Sequence, residues 1–388
     1  MSGAGPARTL AAVSAPAVDV PLWEDGGGSP LQALRGTVTA DVCVVGLGGS
    51  GLAAVDELLA RGASVVGVDA GPVAGGAAGR NGGFLLAGLA DPYDVAVDRL
   101  GRARAAELHR LTLAEMDRMT AAAPGAVRRV GSLRVEDDEA GLAACALQAA
   151  ALRADGFAVE EHDGPEGRGL LFPDDGAMQP LARCRVLAAA ATAGGARLFE
   201  HSPVTGLDGC RVLTAEGEVR CDAVVVAVDG RLDLLLPELA STVRTVRLQM
   251  LGTAPTDEVR VPRPVYLRGG YEYWQQLPDG RLALGGFRDV GGAAEETADA
   301  RAAAPVQDAL EALLRDRLGV TAPVTHRWAA AVGFTTTGLP YVGEVRERVW
   351  AAGGYCGTGN VIGALCGRAM AARALGQQHP ATAFERLA

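Results

Sequence analysis

A chain of 388 residues, 49% of them hydrophobic, is long enough for two or three domains around a large core, which excludes a disordered chain. Its 36 basic and 46 acidic residues leave a net charge of −10 with no basic run, so no nucleic-acid or membrane partner is expected and a small molecule is favoured. Every basic residue is arginine, and without a lysine amine Schiff-base, pyridoxal-phosphate and P-loop chemistries are excluded. Seven cysteines with no CxxC pair and five scattered histidines argue against a disulfide framework or a metal site, and suit the cytoplasm.

Residues 1–39, rich in Gly, Ala and Pro, read as a lead-in that packs over the surface and is anchored by Trp23, without a signal-peptide pattern. Residues 41–69, DVCVVGLGGSGLAAVDELLARGASVVGVD, then give a strand, a glycine turn, a helix, a second strand and an acid. In this GxGxxG unit Gly46 permits the tight turn, Gly48 admits a pyrophosphate, and Gly51 lets helix and strand pack closely, with Gly49 and Ser50 between them. The helix opening at Gly51 aims its positive end at the phosphates, and Asp69, followed by Ala70, accepts bonds from a ribose hydroxyl and disfavours a 2′-phosphate. By itself the unit serves NAD as readily as FAD.

Helices are predicted over 96–122, with Leu108, Leu111, Met116 and Met119 on the buried stripe, near 139–154, and over 180–193 before Gly194 and Gly195. ARLFE (196–200) and DAVVVAV (222–228) have the continuous apolar character of strands buried on both faces. Between 243 and 290 the pattern turns alternating and antiparallel, with a hairpin whose turn is Pro278, Asp279 and Gly280. A helix over 305–318 follows, and residues 350–376 form a second strand, glycine turn and helix. The fold class is thus α/β with an antiparallel or mixed sheet inserted: a nucleotide unit from 40–95, 176–235 and 325–388, and a substrate unit from 96–175 and 236–324.

Four blocks, the βαβ unit, GAAGRNGG at 76–83, GFTTTGLPYVG at 333–343 and GYCGTGN at 354–360, occur in an order that resembles the FAD-dependent oxidoreductases of the D-amino-acid oxidase superfamily. GRNGG and the Trp-containing lead-in are most similar to the γ-glutamylputrescine oxidoreductase branch, with glycine and sarcosine oxidases as more distant relatives. The resemblance implies non-covalent FAD, with Asp69 on its adenosine ribose, Ala78, Gly79, Arg80, Asn81, Gly82 and Gly83 beside its ring and pyrophosphate, and the backbone of Val204 at the adenine. It also places Gly333, Tyr355, Gly357, Thr358, Gly359 and Asn360 at the flavin, where a turn entering a helix would stabilise charge developing on the ring. Asn360 has an alternative role as an N-cap.

Thr358 stands where many relatives carry His and Thr337 where many carry Asp; Ala283 and Phe287 replace the Lys and His of sarcosine-type relatives, which leaves the electron acceptor, oxygen or another, open. Val332 stands about where some relatives attach flavin through Cys. The reaction implied is oxidation of the C–N bond of an amine or amino acid, with Tyr271, Tyr273, Trp274, Tyr355 and Arg288 as the candidate substrate wall, and Arg247 and Arg268 as further candidates for a substrate carboxylate. An NAD-dependent dehydrogenase and a non-catalytic FAD-binding protein are the competing readings.

Overall fold

The computed structural model describes residues 17–24, 26–28, 30–385 and 387; the first part of the lead-in, residues 1–16, lies outside them. The continuous apolar runs become a parallel sheet in the order Arg197–Phe199, Val65–Val68, Gly36–Val45, Gly217–Val226, and Val349–Gly353 runs parallel to the end of the last of these. Val42, Cys43, Val44, Val224 and Val225 are all at most 1% exposed, because helices cover one face and a second apolar layer the other.

The helices are α1 (Gly49–Ala60), α2 (Tyr93–Leu100), α3 (Arg102–Ala122), α4 (Glu139–Ala154), α5 (Pro180–Ala193), α6 (Arg288–Gly291), α7 (Ala304–Ala312) and α8 (Ile362–Ala374). α4 and α5 begin where expected because Asp138 accepts from the Gly141 N–H and Gln179 from the Ala182 N–H. Three expectations are corrected. The helix over 96–122 is broken in two by Gly101, whose φ of +81° no helix interior tolerates. The 305–318 helix is α7 followed by a wider turn over Leu313–Arg317, and α1 opens at Gly49 rather than Gly51. α8 lies against α1 so closely that a Cβ on Gly367 would sit 2.1 Å from the Ser50 carbonyl oxygen, so the last helix of the chain packs directly on the first.

The second sheet has nine strands. Val243–Thr253 pairs antiparallel with Val324–Thr335 and with Leu282–Gly286, and the expected hairpin joins the latter to Glu272–Gln276. Val324–Thr335 therefore belongs to this sheet, although residues 325–335 were allotted above to the nucleotide unit. Ala17–Val18 of the lead-in runs parallel to its outer side, and Trp23 is buried, as the anchoring expectation required. Side chains alternate between faces: Trp274, Leu251, Leu284 and Val265 pack with Val306 and Leu310 of α7, whereas Leu248, Met250 and Tyr273 face the opposite way.

Candidate functional site

That opposite face closes a cavity of about 1080 Å³ that runs to the carboxyl ends of the parallel strands, where Val45, Val68 and Ala227 line it. Open α/β sheets bind ligands at this end of their strands. Of the residues expected at a cofactor, Gly46, Gly48, Gly49, Ser50, Asp69, Ala70, Ala78, Arg80, Asn81, Gly82, Val204, Tyr355, Gly357, Thr358, Gly359 and Asn360 line the cavity. Gly51, Gly79, Gly83 and Gly333 do not: their missing side chains admit the backbone of Gly46, Ala74 and Met178 and the carboxylate of Asp229, with only 1.8 Å between a Cβ on Gly51 and the Gly46 oxygen.

At the strand ends, Asp69 accepts the Leu47 N–H at 2.7 Å and the Gly71 N–H at 2.9 Å, holding the turn, while burial pushes its carboxyl up despite those bonds. The N-terminus of α1 faces the cavity with Gly48 at its N-cap, no side-chain cap and no acid in the first turn. The Leu52 N–H is the first of the helix to reach back, to the Gly48 oxygen, so the N–H groups before it point outward.

The GRNGG loop is tied by side chains from distant parts of the chain. Trp23 Nε1 donates to the Asn81 oxygen at 2.8 Å and Trp328 Nε1 to the Arg80 oxygen at 2.7 Å, with the two indoles edge to face. Arg80 donates to the carbonyls of Ala329 and Asp19 rather than to an acid. Asn360 is not an N-cap, since Val361 takes that place; its amide donates to Asn81 Oδ1 at 3.0 Å and to the Phe84 oxygen at 2.8 Å. The two glycine turns are joined again by the Tyr355 hydroxyl, which donates to Ser50 Oγ at 2.9 Å across 305 residues of sequence.

Asp229, which the sequence reading passed over, organises the second turn. It is half-buried at a φ of +49°, and its carboxylate accepts the N–H groups of Gly333 and Gly354, each at 2.9 Å, with desolvation pushing its carboxyl up. The VDG that follows the apolar strand DAVVVAV was its only signal.

At the other end of the cavity, the wall expectation divides. Tyr271, Tyr273, Tyr355 and Arg288 line the cavity. Trp274 is corrected: one residue beyond Tyr273 in an alternating strand, it points into the core beneath α7 and is 1% exposed. Arg247 is spent on Glu295 and Arg268 on Glu272 and Asp289. Arg288 differs: the chain leaves its strand through Phe287 at a φ of +58°, and the guanidinium lies 5.0 Å from the Tyr271 ring centre and 4.7 Å from that of Phe334, with no acidic partner among the described residues. A recess beyond holds Asp175, which accepts from Ser132 and from the Ala87 N–H and is pushed up to about 7 by burial, and His109, pushed down to about 4 by burial. Neither residue was singled out in the sequence.

The fit to a flavin dinucleotide is good: a long cavity, an uncapped helix start for phosphates, an acid at the end of the second strand and a close-packed loop pair for a ring. Among the described residues no group of His, Cys, Asp and Glu could hold a metal, and no helix is long and apolar enough to cross a membrane. Residues 41–373 match the family DAO, FAD dependent oxidoreductase. The chain is 27% identical over 396 residues to the Gamma-glutamylputrescine oxidoreductase of Escherichia coli strain K12, covering 92% of this chain and 89% of that one. Its fold is similar to glycine oxidase from Geobacillus kaustophilus, with a TM-score of 0.71, 21% identity and 88% and 96% of the two chains covered. It is also similar to L-amino acid deaminase from Proteus myxofaciens, with a TM-score of 0.74, 18% identity and 96% and 97% covered. With a cavity that fits FAD and a family match spanning most of its length, the chain belongs to the DAO family of FAD-dependent oxidoreductases.

Proposed function

We propose that the protein oxidises the C–N bond of an amine that carries a carboxylate, an amino acid or an N-substituted amino acid. The observation that carries this reading is Arg288, held between two aromatic rings at the cavity wall with no acid paired to it among the described residues. A guanidinium fixed in this way presents its fork to a carboxylate. Bound FAD would supply the two-electron acceptor for the hydride of the substrate α-carbon, the amine proton would leave to solvent, and water would convert the imine to a carbonyl compound and a free amine. The chain's part is positioning and exclusion of water: Tyr271 and Tyr273 enclose the amine, and Asn81, Asn360 and the Tyr355–Gly359 turn hold the ring site. No side chain needs to act as a strong base, since a neutral amine drives the transfer through its nitrogen lone pair.

The seven free cysteines support a reducing, cytoplasmic setting, and the absence of Cys at position 332 supports non-covalent FAD. The division into nucleotide and substrate units draws support from the two sheets, with Val324–Thr335 moved to the second. The test pairs amino acids with their decarboxylated amines under anaerobic conditions. Faster flavin reduction by the acid of each pair, lost in Arg288→Met, supports the reading; equal rates for acids and amines in the unaltered protein would sink it.

A further inference from the structure

Arg183 lines the phosphate end of the cavity as a buried charge with no hydrogen-bonded acid among the described residues. It lies in the first turn of α5, is 3% exposed, and its Nε is buried without a hydrogen-bond partner among the described residues. Its neighbouring acid, Glu115, is taken by Arg368 at 3.1 and 3.2 Å and by Arg118 at 3.1 Å, and Asp56 and Glu57 are taken by Arg368 as well. Burial pushes the Arg183 guanidinium down from its usual range, as expected for a cation held out of water. A buried guanidinium whose nearby acids are bonded to other arginines is costly, and an anion entering the cavity would satisfy it. The guanidinium is aimed at the start of α1: a Cβ on Gly49 would stand 3.5 Å from Nη1, and α1 has neither a side-chain cap nor an acid in its first turn.

We propose that Arg183 is the counter-charge of the dinucleotide pyrophosphate, binding it from α5 opposite the N–H groups of α1, so that phosphate capture completes a charge the folded chain leaves open. Resting as it does on the FAD reading, the proposal adds that two elements, not one, hold the phosphates. A guanidinium fork matches phosphate oxygens and a helix start supplies N–H donors, so the two act on different oxygens of one group. Removing the cation should weaken ligands that carry phosphate and spare those that do not.

The test measures FAD and adenosine affinities of the apoprotein by calorimetry, with melting temperatures alongside. Arg183→Met should raise the dissociation constant for FAD about 10- to 100-fold, leave adenosine unchanged, and melt as apoprotein no lower than the unaltered chain. Arg183→Lys should recover part of the FAD affinity, and it carries the same comparison if the methionine variant does not fold. Wild-type FAD affinity in either variant, or equal losses for FAD and adenosine, overturns the proposal. An unaltered protein that binds no FAD would instead count against the family reading.

Discussion

Arg288 and Asp175 are the single side chains on which the proposed function and the stability can be tested most sharply. Arg288 stands free of the acids that occupy Arg247 and Arg268, so Arg288→Lys, which keeps the charge but loses the planar fork and the ring stacking, should raise KM for a carboxylated substrate about tenfold with little change in kcat. Steady-state kinetics of the two forms checks this. Asp175 is an acid raised from 3.8 to about 7 by burial, so its protonated form is favoured in the fold. Its contribution is fully present below pH 3.8 and is lost as pH rises towards about 7. The melting temperature of the apoprotein should therefore fall relative to that of Asp175→Asn between pH 5 and pH 8; a constant difference would contradict the burial argument.

Among the elements, α1 and α8 matter most, because their contact brings the two glycine turns together. Gly367→Ala places a methyl against the Ser50 carbonyl, where backbone must give way, and should destabilise the protein by about 1–3 kcal/mol in urea unfolding and weaken FAD retention. Tyr355→Phe removes the hydroxyl bridge to Ser50 and should cost about 1 kcal/mol by the same measurement. The βαβ unit, α4, α5 and the hairpin were legible in the sequence because each has a local signature: a glycine triplet, a capping side chain, a PDG turn. Gly101 was not, since the apolar stripe continues past it and only its φ of +81° shows the break. Trp274 misled because a hairpin's alternation fixes that neighbours point apart, but not which of Tyr273 and Trp274 faces inward. Asp229 and Arg183 were illegible for a different reason: what each side chain meets lies far along the chain, the Gly333 and Gly354 N–H groups for one, the nearby start of α1 at Gly49 for the other.

In the whole molecule, a mixed sheet with a parallel centre and a mainly antiparallel sheet form opposite walls of one cavity, and the chain visits each more than once. In the proposed binding mode the first helix takes the phosphate end and the last turn the ring end, which is why the opening βαβ unit alone could not choose between NAD and FAD. The hairpin and α6 bring Tyr271, Tyr273 and Arg288 to the same space. The residues proposed for cofactor and substrate thus meet only through tertiary packing. The most direct test is anaerobic titration of the FAD-loaded protein with a panel of amino acids, N-methyl amino acids, γ-glutamyl amines and polyamines, following the visible flavin band. Bleaching by at least one carboxylated amine, with one carbonyl product per flavin reduced, is the predicted result. A flavin that stays oxidised against every amine and amino acid while a nicotinamide reduces it would contradict the account.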